Sequence, residues 1–244
     1  MVVRRIFASR LREFWTSSIL TILLEMAYLS SIATIAASLM EHAAIPGAWP
    51  MSAAVLFGII VNWGYAFRGF LLPEDVAEYV KEGNVELITI RPKPLKYLWL
   101  REVSFTLLFR IIFSTVILLA AAYVMGYDVL LVLLTVVAGN ILLLLLRASM
   151  TALTFWTGES IEGAVYPVWR QLDWYPTDLL HGSFAEALAI YVIPVYFATT
   201  LPVKVALGFP ALHWEWGVAY AVILAIIVKI TLKKGVESYE GAGG

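Results

Sequence analysis

Residues 105–146 read "FTLLFRIIFSTVILLAAAYVMGYDVLLVLLTVVAGNILLLLL". Two apolar runs, Phe105–Met125 and Val129–Leu146, flank a three-residue joint, "GYD". A helix needs about 20 mostly apolar residues to cross a bilayer, and each run is close to that length. Arg110 is the one charge inside either run. So short a joint sends the second run back along the first, which predicts a tight hairpin of two membrane-spanning helices. The fold class that follows is an all-α polytopic membrane protein.

Working outward, the same length criterion marks four more spans. One covers about 17–39, interrupted only by Glu25, and another about 51–72, between "IPGAWP" and Pro73. Downstream, about 184–201 carries Glu186 and Pro194. Proline is tolerated in a spanning helix when neighbours or water satisfy the freed carbonyls. The stretch after it, to about Glu215, is expected to dip into or lie on the outer surface. The last span is about 216–232. Together with 105–125 and 129–146 these make six spans in a single transmembrane domain over 1–244.

Composition agrees. Hydrophobic residues make up 61% of the 244 positions and charged residues 14%, with mean hydropathy +0.84. A soluble domain is about 45–50% apolar and about a quarter charged, so lipid is the expected solvent. The 9 Trp, 12 Tyr and 12 Phe fit the enrichment of amphipathic rings at membrane interfaces. A net charge of −1 points to no nucleic-acid partner. The absence of cysteine excludes disulfides, thiol catalysis and cysteine metal sites.

Orientation follows from Lys and Arg near the span ends. With six spans and both termini cytoplasmic, 16 of the 17 basic residues fall on the cytoplasmic side and only Lys204 lies outside. An odd number of spans would put the basic C-terminus outside and spoil that bias.

Three stretches are not spans. Residues 1–16 place Val3, Phe7, Leu11 and Phe14 on one helical face with Arg5 and Arg12 opposite, an amphipathic interface helix retained rather than cleaved as a signal peptide. A plain positive-inside anchor is the alternative. Residues 73–104 form a charged, twice-kinked cytoplasmic segment. Its first part, "PEDVAEYVKEGN", has Pro73 at a helix start, Glu74 and Asp75 in the first turn, and Gly83 beyond the end, as caps and dipole favour. Glu78, Tyr79 and Glu82 lie on that helix, and "RPKP" then stops further helix. Short apolar faces on polar helices suit a docking surface; a solvated loop is the bland alternative. Residues 155–183 are rich in aromatics, Pro and Gly, and are expected to lie along the cytoplasmic interface rather than form a free loop.

No phosphate-binding loop, H-E-x-x-H or G-x-S-x-G occurs, so the chain is expected not to be an enzyme. His42, His181 and His213 are scattered over different loops and make no metal site. Polar groups within spans are costly and mark paired or functional positions. Glu25 is expected to pair with Arg110 or Arg68, and Asn62 and Asn140 to hydrogen-bond across helices or line a path.

"GNVELITIRPKPLKYLWLRE" before the third span, followed by two spans and "TALTFWT", resembles the type-2, exporter-like class of ABC transporter permeases. The resemblance runs from about Asn62 to Gly208, and rests on Gly83, Arg91 and Pro92, then Phe155 and Trp156, then Pro167, Pro194 and Pro202. Thr89 stands where that subfamily usually has Leu or Ile. The resemblance implies an exporter permease subunit in the plasma membrane of a prokaryote. It implies two copies of a separate ABC ATPase, which bind the ATP and Mg, and a homodimer or a heterodimer with a second permease. The ATPase-coupling residues it implies are Glu74, Asp75, Glu78, Tyr79, Glu82, Gly83, Arg91 and Pro92. Glu25, Asn62, Arg110 and Trp156 are the candidates for the translocation path, and no cofactor is expected on this chain. An ion- or proton-coupled secondary transporter, with Glu25 and Arg110 as relay, is the alternative function; a membrane scaffold is the third.

Overall fold

The computed structural model describes residues 49–71, 105–157, 161–210 and 213–238, with separate positions between 23 and 38. Among these residues there is no β-strand. The helices are α1 (Met51–Leu71), α2 (Phe105–Val124), α3 (Val129–Thr157), α4 (Ile161–Trp174), α5 (Phe184–Ala187), α6 (Val195–Ala198), α7 (Thr200–Ala206) and α8 (Trp214–Ser238). Three are long and apolar enough to cross a membrane, over Met51–Gly69, Val129–Leu153 and Trp214–Thr231; Leu108–Val124 is a shorter apolar helix. The 1–16 interface helix and the 73–104 segment lie outside the described residues. Most of the 17–39 span does too, although the positions described there are helical.

The "GYD" joint folds as its residue types require. Gly126 has φ +77°, the left-handed region that ends many helices. Tyr127 N donates to Ala122 O at 2.9 Å and Gly126 N to Tyr123 O at 3.0 Å, closing the end of α2. Asp128 then caps α3, its Oδ1 accepting from Leu131 N at 2.9 Å. Each residue of the joint satisfies backbone groups that lipid could not.

α3 runs on to Thr157, past the apolar stretch that ends at Leu146. Apolar length marks what lipid tolerates, not where hydrogen bonding stops. Arg147 is consequently a buried residue inside the helix, not a residue at its end.

Contacts set helix direction. Ser52 Oγ meets Tyr127 Oη at 3.0 Å, and Gly64 lies against Asn140. α1 and α3 therefore run the same way, and α2, the other arm of the hairpin, runs against them. Trp63 Nε1 donates to Thr115 Oγ1 at 2.8 Å across the α1–α2 contact. α8 packs chiefly on α3 and runs parallel to it: Gly217 meets the Phe197 ring near Gly139, and Val228 lies against Leu144 and Ala148. The rest of α8 shows Val218, Val222, Ile223, Ile226, Ile227 and Ile230 on its surface, as a lipid-facing helix does.

The 184–201 stretch is not one helix. α5 passes into a π-helix over Leu188–Val192, closed by Ile193 N donating to Leu188 O at 2.8 Å. Pro194 then breaks the chain at φ −71°, ψ 51°, and α6 follows. Thr199 is a second break, at φ −122°, ψ −62°. Pro202 accounts for it: a proline removes its own N–H and its ring crowds the carbonyl four residues earlier, that of Ala198, where α6 ends. In the first turn of α7 the same residue costs nothing, because N–H groups there have no helical partner. These pieces are nonetheless buried, from Ile193 through Val203.

Candidate functional site: an arginine cluster between α1, α3 and α4

α4 doubles back along α3, placing Trp169 and Leu172 against Leu143 and Met150. Trp169 and Asp173 are four apart and so share one helical face. That face meets Arg68, near the end of α1. Arg68 Nη2 lies 2.8 Å from Asp173 Oδ2, with the two side chains 6% and 1% exposed. Arg68 Nη1 donates to Asn140 Oδ1 at 3.1 Å, and Asn140 Nδ2 returns to Val136 O at 2.9 Å. Helical side chains lean toward the N-terminus, which lets Arg68 reach back to the level of Gly64 and Asn140. A Cβ at Gly64 would sit 2.7 Å from Asn140 Oδ1, so glycine there leaves room for the amide.

Aromatic rings complete the enclosure. The Arg68 guanidinium stands 5.0 Å from the Tyr65 ring centroid and 5.6 Å from that of Trp169. Such cation–π contacts strengthen where water is excluded. Asp173 lies on α4, outside the spanning helices. Burial pushes its carboxyl above the ordinary carboxylate range, against the opposing pull of Arg68. The Tyr65 hydroxyl and the Trp169 N–H lie near enough to favour the ionised carboxylate, but both of these buried atoms and Asp173 Oδ1 lack an aligned hydrogen-bond partner. A cleft opens beside the cluster, lined also by Arg147, Tyr166 and Arg170.

Past Trp174 the chain continues along α1 toward its other end. Asp178 Oδ2 accepts from Trp49 Nε1 at 3.2 Å, and the Trp49 ring lies 5.6 Å from that of Phe57. Asp178 Oδ1 also pairs with Lys204 Nζ at 2.7 Å, tying the 3₁₀ turn Thr177–Leu180 to α7. Thr177 N donates to Thr200 Oγ1 at 2.9 Å in the same joint. The segment expected along the cytoplasmic interface instead passes from one end of α1 to the other, held by Asp173 near the end and Asp178 at the start, where it pairs with Lys204, the basic residue expected outside. The described part of the first apolar run meets it through Tyr28, whose ring lies 5.9 Å from that of Trp174.

The path candidates fall at different depths. Asn62 is buried on α1, and Arg110 is half-buried on α2. With Trp63 opposite Thr115 in antiparallel helices, the two are offset by about 9 Å along the axis and lean apart. Trp156 is in the last turn of α3. Glu25 and all eight coupling candidates (Glu74, Asp75, Glu78, Tyr79, Glu82, Gly83, Arg91 and Pro92) lie outside the described residues. The cross-helix role expected of Asn140 is met by Arg68, whose carboxylate partner is Asp173. Sequence reasoning placed Asp173 in the stretch expected along the cytoplasmic interface and gave it no partner. The signal available was the Trp169–Leu172–Asp173 face, which asks a buried acid to find a cation without saying which.

A bundle of long lipid-facing helices with a buried ionic joint defines a multi-pass membrane protein. The comparison with known families is specific: ABC-2 family transporter proteins match residues 49–243, most of the chain. The chain belongs to that family, and so is a permease of the ABC transporter class, membrane subunits that work with an ABC ATPase. No curated protein and no solved structure matches it.

Proposed function

We propose that this chain is the transmembrane subunit of an ABC exporter in the plasma membrane of a prokaryote. It spans the membrane six times with both termini cytoplasmic. ATP and Mg are bound and ATP hydrolysed on a separate ATPase, present in two copies, while this chain carries no catalytic group. Two permease chains, alike or different, form the pathway. The observation that carries this reading is family membership over residues 49–243, in a chain whose helices have spanning length.

In this reading the 73–104 segment is the joint with the ATPase. Glu74, Asp75, Glu78, Tyr79 and Glu82 present the contact, and Gly83, Arg91 and Pro92 shape it. Stiffness matters there, because a floppy loop transmits no displacement. Glu25, Asn62, Arg110 and Trp156 are the residues proposed to face the pathway.

The test is co-expression with the neighbouring genes, followed by affinity purification and transport in vesicles. The expected result is a co-purifying ATPase and ATP-dependent efflux, both lost when Gly83, Arg91 and Pro92 are replaced together. Solute movement driven by an ion gradient in ATP-free vesicles, with no ATPase attached, would overturn the proposal in favour of a secondary transporter.

A further inference from the structure

We infer that the fifth crossing of the membrane is made by residues 161–180, and that residues 184–207 are a re-entrant hairpin entering and leaving on the side of the "GYD" turn. Two contacts carry the assignment. Asp178 Oδ1 lies 2.7 Å from Lys204 Nζ, and Thr200 Oγ1 donates to Thr177 Oγ1 at 3.2 Å. A helix over 184–201 that crossed the bilayer would hold the residues at its two ends about 30 Å apart. Those residues touch instead, so the chain between them turns back.

The touching ends lie at the level of the hairpin turn. Asp178 Oδ2 accepts from Trp49 Nε1, just before α1, and Ser52 in the first turn of α1 meets Tyr127. Leu179, Ala206 and Leu207 pack on the cluster that holds Trp49, Ala122 and Val132. Between its ends the hairpin goes deep. Ile193, Val195 and Ala198 gather around Leu143, about 20 Å along α3 from its start at Val129. Pro194 and Thr199 break the helix at that depth. The Val192 carbonyl beside the first break accepts from Tyr220 Oη of α8 at 2.7 Å, and pairing with a neighbouring helix is what lets irregular backbone persist within a membrane.

The crossing then falls to the preceding stretch. α3 ends at Thr157 and α4 begins at Ile161, on the side away from the turn. The 14 residues of α4 cover about 21 Å and the 3₁₀ turn Thr177–Leu180 about 8 Å more, close to the ~30 Å of a hydrocarbon core. A criterion of apolar length passes over this stretch because its buried acid, Asp173, is answered by Arg68 rather than by lipid. The same criterion selects 184–201 because that stretch is apolar for burial among helices. The exchange leaves the number of crossings in the proposed topology unchanged. It requires only membrane insertion, so it stands apart from the direction of transport and from the ATPase partner.

Single cysteines in the cysteine-free chain, probed with an impermeant maleimide in intact cells and in opened membranes, test the assignment. Tyr123→Cys marks the side of the turn, and Lys234→Cys, exposed near the end of α8, marks the opposite side. His181→Cys and Phe209→Cys, both at exposed positions, are expected to label together with Tyr123→Cys. His181→Cys labelling with Lys234→Cys, or His181→Cys and Phe209→Cys labelling from opposite sides, would overturn the assignment. All three reached together only from the cytosol would leave it standing and invert the proposed orientation instead. Thr177→Cys combined with Thr200→Cys gives a second reading. A disulfide requires Cα atoms within about 7 Å, which opposite faces of a bilayer never offer. Oxidation in native membranes is expected to join the pair, read after denaturation as loss of both thiols to a polyethylene-glycol maleimide. Two free thiols in a protein that melts like the native chain would overturn the re-entrant path.

Discussion

At the scale of single residues, the Arg68–Asp173 pair concentrates the cost and the specificity of this bundle. Removing one partner from a buried ion pair leaves the other charge uncompensated and costs about 3–5 kcal/mol. Asp173→Ala, which takes away the acceptor from Arg68 Nη2, is therefore expected to destabilise the protein by about that much in detergent melts. Asp173→Asn is a different experiment, because the amide oxygen still accepts. The folded-state value of Asp173 lies above that of the unfolded chain, so the folded protein holds this proton more tightly. Stability from this group is thus present below about pH 4 and lost as pH rises through the folded value. The melting temperature of the native protein should fall relative to Asp173→Asn between acid and neutral pH. Parallel curves for the two proteins would show that Arg68 fully offsets the burial.

At the scale of elements, small residues decide how closely helices approach. A methyl group at Gly139 would overlap the carbonyl oxygen of Phe197, which is backbone and has nowhere to swing. In an isolated helix Gly→Ala adds about 1 kcal/mol of stability through propensity. Here Gly139→Ala is expected to have the opposite sign and to cost about 2 kcal/mol or more, since α6 must move off α3. Gly126→Ala separates the two causes: nothing lies within 4 Å of that site, but φ is +77°. Its expected cost is about 1–2 kcal/mol, from backbone strain alone. Equal melting temperatures for native protein and Gly139→Ala would mean that the α3–α6 approach is looser than described. The hairpin itself was legible in "GYD", because glycine and aspartate serve helix ends locally. The broken helices were not, because Pro194 and Pro202 say where a helix stops but not that the pieces will still pack inside.

At the scale of the whole molecule, the proposed orientation rests on the distribution of Lys and Arg. The native sequence has no cysteine, so a single introduced thiol is reported without background. Tyr123→Cys, exposed beside the hairpin turn, is expected to react with an impermeant reagent added outside the cell. Gly83→Cys is expected to react only after the membrane is opened. Labelling of Gly83→Cys in intact cells would invert the topology and leave the proposed joint out of reach of a cytosolic ATPase.

The hairpin and the membrane class were determined by the sequence alone, because lipid imposes its demand locally: about 20 apolar residues with every backbone group bonded inside its own helix. Tertiary structure decided which charges meet. Arg68 and Asp173 stand 105 positions apart, and Trp49 and Asp178 129 apart. Pairing at such separations depends on helix direction and register, which are set by contacts such as Gly64 against Asn140 and Gly139 against Phe197. No window of sequence contains both partners, so the ionic joint became visible only when the helices were packed.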